Sequence, residues 1–281
     1  MRPHVAALLA LLALPLCAQN PEPTVPADEE DPYVLLAGQA DKAVADGDFE
    51  AAAQRLLEAM ALRPEAPNNV LLMSNLGMIY SYLDRDSLAL TVLDEAVRRA
   101  PALMTAQQNR AEVLLKLGRD KEAFDAFTKV IAADSVNTDA RYYHGMLALY
   151  GGKLDTAEAD FAVLKRLVPE SLATARALGT LYSLSGRDRE AIPHLQKLIS
   201  YEPAAEYYAS LAGCQLALAQ LSEASATIAE GLEKYPDDPE LYYYRAILNR
   251  DRFRLDDAHH DADRAVRLGL NPARAAAIFA K

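Results

Sequence analysis

The chain has 281 residues, of which 51% are hydrophobic, and it carries a formal net charge of −11 at pH 7. This acidic balance argues against a nucleic-acid partner, because phosphate binding needs a basic surface, and against electrostatic docking on anionic lipid. Its 12 glycines and 15 prolines are far from the usage of collagen-like or disordered chains. The composition therefore predicts a folded protein with a sizeable core.

The first 18 residues have the pattern of a secretory signal peptide. Arg2 precedes an apolar run from Val5 to Leu16 that is too short for a membrane anchor, and Ala18 is a small residue suited to a cleavage site. We therefore expect cleavage after Ala18 and a periplasmic or secreted mature protein. One alternative is a lipoprotein anchored through Cys17, the only case in which a membrane would be a partner, although Leu16 argues against it. The other is a cytoplasmic protein.

Residues 19–32 connect this segment to the rest of the chain. They contain four prolines and five carboxylates without a single cation. Such a composition is typical of an extended, solvated linker. We therefore place an acidic, proline-rich linker at 19–32.

From residue 33 onwards, one spacing recurs seven times. A small residue is followed 12 places later by an alanine and, in five of the seven cases, by a proline 12 places after that. The seven triplets are Ala40–Ala52–Pro64, Gly77–Ala89–Pro101, Ala111–Ala123–Ser135, Gly145–Ala157–Pro169, Gly179–Ala191–Pro203, Ala212–Ala224–Pro236 and Ala246–Ala258–Leu270. A period of 33 to 37 residues indicates a solenoid, whose repeats bury their apolar faces only against their neighbours.

Each repeat is predicted to contain two helices that cross at the two small residues. Both side chains must be small for the helix axes to approach within about 8–10 Å. On the second helix, a larger apolar residue lies four places after the alanine and on the same face. These residues are Leu56, Leu93, Phe127, Phe161, Leu195 and Ile228.

Proline and glycine are predicted to mark the helix ends. The prolines should end the second helices, because proline lacks a backbone donor and disfavours a helical residue before it. Gly47, Gly118, Gly152 and Gly186 lie between the paired helices, where they tolerate a left-handed backbone. Gly231 stands where the sixth repeat should carry alanine, and we expect it to loosen that second helix.

These repeats resemble the tetratricopeptide repeat (TPR) family. Residues 75–80 and 242–246 are similar to the first helix of that family's motif, and residues 48–52 are similar to the start of its second helix. The resemblance extends over seven repeats in residues 33–272. It implies an all-α fold, a right-handed superhelical solenoid of about seven helix-turn-helix repeats, with residues 273–281 as a short C-terminal capping segment.

The resemblance also implies a function. In TPR superhelices the first helices line a concave groove that holds a peptide segment or helix of a partner protein. The chain would then be a non-enzymatic protein–protein interaction scaffold, in the cell envelope if it is exported. Groove positions lie three before, one after, and four or five after each crossing residue. The candidate partner-binding residues at these positions are Met78, Tyr82, Gln108, Glu112, Tyr142, Met146, Tyr150, Arg176 and Tyr243.

Two interpretations of these residues are open. Tyrosine offers a large contact area and methionine adapts to irregular shapes, and both properties suit a peptide groove. The same tyrosines could instead pack between adjacent helices, as we expect for Tyr207, Tyr208 and Tyr242. The Lys and Asn clamp with which some TPR domains hold a C-terminal carboxylate does not appear. A self-associating structural protein is an alternative function.

The sequence contains no recognisable catalytic motif. Asp256 with His260, and His259 with Asp263, have a spacing that could place each pair on one helix face, as a metal site requires. Adjacent helical residues point about 100° apart, so we favour a solvated acidic face without a metal or cofactor. Cys214 is interpreted as a small buried hydrophobe, the alternative being a reactive thiol. An enzyme or metal-binding protein is the least favoured alternative, and no small-molecule substrate is evident.

Overall fold

The computed structural model describes residues 31–280. The predicted signal peptide and residues 19–30 of the predicted linker lie outside this range. Residues 31–280 form fifteen α-helices and a 3₁₀ helix and contain no β-strand, which confirms the all-α prediction. Within this range, each helix is too short or too polar to cross a lipid bilayer.

The chain divides into two compact units, unit 1 ending at Ala140 and unit 2 beginning at Arg141. Unit 1 contains α1 (Pro32–Ala45), α2 (Phe49–Leu62), α3 (Asn69–Tyr82), α4 (Asp86–Arg99), α5 (Met104–Lys116) and α6 (Asp120–Ala133). The boundary falls within α7 (Thr138–Tyr150). Unit 2 continues with α8 (Leu154–Leu167), α9 (Leu172–Leu184), α10 (Asp188–Tyr201), α11 (Ala205–Ala217), α12 (Leu221–Lys234), α13 (Pro239–Asp251), α14 (Leu255–Arg267), α15 (Pro272–Ala276) and the 3₁₀ helix Ala277–Phe279.

Helices α1 to α14 form seven consecutive pairs, one for each predicted repeat. The first pair starts at Pro32, one residue before the predicted start of the solenoid, and the side chain of Asp31 caps it by accepting from the Tyr33 N–H. Helix α15 and the 3₁₀ helix Ala277–Phe279 together occupy most of the predicted capping segment. Asn271 caps α15 in the same way, by accepting from the Ala273 N–H at 2.9 Å.

The predicted crossing residues lie where the paired helices approach most closely. The alanines of all seven second helices are completely buried. A Cβ atom added at Gly77 would lie 2.4 Å from Leu93 Cγ, and one added at Gly145 would lie 2.4 Å from Phe161 Cε1. At Gly179 the nearest atom, Leu195 Cδ2, would be 3.4 Å away, an ordinary contact. The crossings are therefore confirmed, and the one at Gly179 is looser than the other two.

The helix ends confirm the predicted role of the five prolines. Each of the five prolines lies two residues beyond the end of a second helix, as when α12 ends at Lys234 before Pro236. Helix α6 ends at Ala133, the same two residues before Ser135. The serine shows that this helix end does not require proline.

Seven left-handed residues occupy equivalent places between the paired helices. Gly47, Gly118, Gly152 and Gly186 have positive φ angles, as predicted. The other three are Asp84, Ala219 and Phe253, at φ 55°, 56° and 59°. A side chain in this conformation costs roughly 1–2 kcal/mol, so these three turns carry strain that the glycine turns avoid.

The expectation that Gly231 loosens α12 is wrong. Gly231 is buried, and a Cβ added there would lie 3.0 Å from Tyr208 Cβ and 3.0 Å from Leu241 Cδ1. Tyr208 is itself almost completely buried. The large neighbours fill the space that a side chain at position 231 would need, so glycine permits close packing here.

Candidate functional site

Four candidate residues of unit 1 lie on two helices that pack against each other, α3 and α5. Met78 and Tyr82 are one turn apart on α3, and Gln108 and Glu112 are one turn apart on α5. Met78 is buried, and the Tyr82 ring is half-buried and stacks on Phe49 with 5.0 Å between ring centroids. We call Met78, Tyr82, Gln108 and Glu112 the α3–α5 surface.

Glu112 is the most unusual member of this surface. Its side chain is only 6% exposed, and Oε1 accepts from Gln108 Nε2 at 3.1 Å. Gln108 Oε1 in turn accepts from Asn137 Nδ2 at 3.1 Å. The second oxygen, Oε2, is buried and has no hydrogen-bond partner among residues 31–280. Burial raises the pKa of Glu112 to about 7 against the opposing bond from Gln108, and the negative charge of Asp139 raises it further.

Three candidate residues lie one turn apart along α7 in unit 2, but they differ in exposure. Tyr142 and Met146 are each 8% exposed, whereas Tyr150 at the end of the helix is 66% exposed. The Tyr142 ring meets Tyr143 edge-on at 5.2 Å between centroids. Of the three, Tyr150 is the one whose ring is available to a partner.

Arg176 on α9 joins several groups of unit 2. Its Nε donates to the Tyr207 hydroxyl at 2.8 Å and its Nη2 to Glu202 at 2.6 Å. Burial raises the pKa of Tyr142, and the positive charge of Arg176 counteracts this rise. Tyr207 is buried, as expected. Arg176 therefore lies between two tyrosines and a carboxylate, and we call Tyr142, Met146, Tyr150 and Arg176 the α7–α9 surface.

The ninth candidate, Tyr243, is covered by the C-terminal helix. The guanidinium of Arg274 on α15 lies 4.3 Å from the centroid of the Tyr243 ring and also pairs with Glu240 at 2.7 Å. Tyr243 packs against a cluster that includes Ile278 of the 3₁₀ helix. Its binding role stays a prediction, and its ring already has a partner within the chain.

The histidines and carboxylates at residues 256–263 of α14 lie in different environments. The His259 ring stacks on Phe279 with 3.9 Å between centroids, while His260 lines a cavity of about 330 Å³ in unit 2 together with Asp257 and Asp261. Asp261 accepts two hydrogen bonds from Arg245, at 2.6 and 2.9 Å. Residues 31–280 contain no group of three or more His, Cys, Asp or Glu side chains placed to hold a metal ion.

Cys214 is buried in α11, which confirms the interpretation of a small core residue. Burial raises the pKa of its thiol to about 11, a hydrogen bond from Ser183 opposes this, and Asp188 adds to it. At neutral pH the group is therefore an unreactive thiol.

Sequence reasoning selected these surfaces by register but missed their supporting residues. Phe49 stacks on Tyr82, and Asn137 donates to Gln108. Both lie outside the inner positions of the first helices. Phe49 lies one repeat, 33 residues, before Tyr82, and this spacing was a signal that could have found it, whereas Asn137 is 29 residues from Gln108 and had no such signal.

Comparisons with known proteins agree with this architecture. A tetratricopeptide repeat model matches residues 185–248. The human DnaJ homolog subfamily C member 7 is 26% identical over 178 residues, which cover 63% of this chain and 32% of the relative. The chain thus spans about a third of the length of this curated relative.

Solved structures give the same fold. A tetratricopeptide repeat protein from Parabacteroides merdae superposes with a TM-score of 0.64 at 22% identity, over 88% of this chain and 97% of that one. YrrB, described as a TPR protein with an unusual peptide-binding site, gives a TM-score of 0.56 at 19% identity, over 66% of this chain and 97% of its own. The seven helix pairs, the repeat model matched at residues 185–248 and these structural likenesses together show that residues 31–280 have the fold of a tetratricopeptide repeat solenoid.

Proposed function

We propose that this chain is a non-enzymatic scaffold that binds peptide segments or helices of partner proteins, on the α7–α9 surface of unit 2 and, as a separate site, on the α3–α5 surface of unit 1. The TPR fold supports a role in protein–protein interaction in general. The observation that carries the finer proposal is Tyr150, a tyrosine 66% exposed at an inner position of a first helix. Tyrosine is one of the residue types enriched among those that dominate binding energy at interfaces.

The residues around Tyr150 suit an extended or helical ligand. Met146 lies one turn before it on α7 and can adapt its shape to an apolar side chain. Tyr142, one further turn away, is buried, and its environment includes the charge of Arg176. We infer that Tyr150 is the anchor that contacts the partner and that Tyr142 holds the surface in shape. YrrB, whose description names a peptide-binding site, supports peptides as the ligand class.

Random peptides displayed on phage supply ligands with which this surface can be tested. Peptides selected on the natural chain are then measured against Tyr150→Ala. We expect the dissociation constant to rise about 30-fold, the effect of an anchor contributing about 2 kcal/mol, with an unchanged melting temperature. Tyr201→Ala is the matched control, because Tyr201 is 71% exposed but lies on a second helix.

Two outcomes would count against this proposal. If Tyr150→Ala binds the selected peptides as tightly as the natural chain, the surface lies elsewhere. If Tyr201→Ala weakens binding equally, exposure alone and not the inner position explains the effect. Tyr142→Ala separates the two interpretations of the buried tyrosine, since a core residue lowers the melting temperature whereas a binding residue lowers affinity.

We also propose that the protein works outside the cytoplasm, in the cell envelope, with a mature chain that begins at Gln19. The pattern of residues 1–18 supports this proposal. Cleavage there would leave Cys214 as the single cysteine, so the mature chain could form no internal disulfide, which is compatible with an oxidising compartment. The intact mass of the exported protein is the test, and a lipid-bearing Cys17 or a retained Met1 would contradict it.

A further inference from the structure

Three carboxylates are buried among residues 31–280, and they differ in whether a positive side chain lies beside them. Asp160 pairs with Arg141 at 2.7 Å and with His144 at 2.5 Å. Asp261 pairs with Arg245 at 2.6 Å. Glu112 has one bond from an amide and, within the described part of the chain, no cation beside it. Glu112 is therefore the one buried carboxylate of the three that lacks a positive partner.

The charged groups near Glu112 do not compensate it. Asp139 at the start of α7 adds a second negative charge, and Tyr82 on α3 is a neutral phenol whose pKa is raised by its burial and then by Glu112. Lys116, one turn further along α5, is held by Asp84 at 2.9 Å and Asp86 at 3.0 Å. An ionised carboxylate without a positive partner is costly to bury, and the raised pKa of Glu112 reflects that cost.

We propose that Glu112 receives one lysine or arginine side chain of the peptide bound by unit 1, a proposal that rests on the function proposed above. The ammonium or guanidinium group of that side chain would donate to Oε2, so that both oxygens of Glu112 accept a hydrogen bond, Oε1 from Gln108 and Oε2 from the ligand. Its aliphatic stem would lie against the α3 side of the surface, where Met78 and Tyr82 are. The nearby Asp139 adds to the attraction for a cation.

A bound cation supplies the positive charge that the buried carboxylate lacks in the free protein. A hydrogen bond to an ionised group gains most where water is excluded, and Glu112 is 6% exposed. The bound cation stabilises the ionised form, so the pKa of Glu112, which is about 7 in the free protein, should fall on binding. Preference for a basic peptide should therefore increase between pH 6 and pH 8, as the free carboxyl loses its proton.

The test uses immobilised nine-residue peptides whose central position is fixed as lysine, arginine, norleucine or glutamate and whose other positions are random. The natural chain should favour lysine and arginine over norleucine about tenfold, the ratio expected of a hydrogen bond to a charged group. Glu112→Gln should lose this preference and still bind the norleucine peptides. Glu122→Gln is the matched control on α6, because Glu122 is exposed and pairs with Arg119 at 2.7 Å.

The outcomes separate this proposal from the one on which it rests. Peptide binding by the natural chain without a preference for basic residues, or with the same preference in Glu112→Gln, overturns the role of Glu112 and leaves the scaffold function intact. Binding of no peptide by any of the proteins refutes both. The pH dependence of the natural chain is an independent check that needs no variant, and a lysine preference that stays constant from pH 6 to pH 8 also contradicts the proposal.

Discussion

The helix crossings allow a prediction in which one substitution has opposite effects at two equivalent positions. Gly145 and Gly179 are the crossing residues of adjacent first helices. In Gly179→Ala the new methyl group meets Leu195 at 3.4 Å, an ordinary contact. In Gly145→Ala it would lie 2.4 Å from Phe161 Cε1 and 3.1 Å from Asp160 Cβ. The first methyl group fits the structure and the second does not.

Two opposing terms set the size of the effect. Alanine is better than glycine in a helix interior by about 0.5–1 kcal/mol, which is the stabilisation expected of Gly179→Ala. At Gly145 the same gain is offset by overpacking, typically about 1–3 kcal/mol. Phe161 is completely buried and Asp160 is held by Arg141 and His144, so neither neighbour can move aside cheaply. The two variants should differ in stability by about 1–3 kcal/mol.

Thermal unfolding followed by circular dichroism measures this difference. For a chain of this size, about 2–4 °C in melting temperature corresponds to each kcal/mol. Gly179→Ala should therefore melt above the natural chain and at least about 2 °C above Gly145→Ala. Gly145→Leu, with three further carbon atoms, should melt lower still. If Gly145→Ala melts at or above Gly179→Ala, the close approach of α7 and α8 does not limit the side chain at this position.

The turns, the buried carboxylate and the thiol give three further predictions. Ala219→Gly should raise the melting temperature and Gly186→Ala should lower it. Each should change the free energy of unfolding by about 0.5 kcal/mol, because the strain of the left-handed backbone is partly cancelled by chain entropy in the unfolded state. Changes of the same sign would contradict this. Folded Glu112 binds its proton more tightly than the unfolded chain does, so its contribution to stability is lost as the pH rises from about 4.5 to about 7. The melting temperature of Glu112→Gln minus that of the natural chain should grow over that range and level off above it, and a constant difference would refute the shifted pKa. In a Cys17→Ser chain, Cys214 should react with a thiol reagent only after denaturation, because it is buried and its pKa is about 11; equal rates before and after would show that the thiol is accessible.

The features that could be predicted from sequence are those set within one repeat. The crossing residues, the turn glycines and the helix ends each depend on neighbours at fixed spacing, so the period identified them. Ala219 and Phe253 were missed because neither residue type favours a left-handed backbone, and only the equivalent position in other repeats points to them. The reason for Gly231 was missed because Tyr208 and Leu241, which fill its space, lie on other helices.

The candidate site shows the same limit. Register alone placed Tyr142 and Tyr150 at inner positions of one helix, and it gave no reason to distinguish them. Their exposures of 8% and 66% depend on contacts with other helices, which the register of α7 does not specify. The unpartnered oxygen of Glu112 likewise depends on side chains outside its own position. Gln108 donates to Oε1 and accepts from Asn137, and neither of them reaches Oε2.

The buried ion pairs constrain how such a chain can be rearranged by recombination. Asp160 on α8 finds Arg141 and His144 on α7, and Asp261 on α14 finds Arg245 on α13, so each acid is neutralised by its own helix pair. Duplication or deletion of a whole pair keeps Asp160 and Asp261 with their positive partners. An exchange with its junction between the two helices would leave a buried charge alone, at a cost of about 3–5 kcal/mol. For these two buried acids, the helix pair is therefore the smallest segment that can be transplanted without leaving a buried charge unpaired.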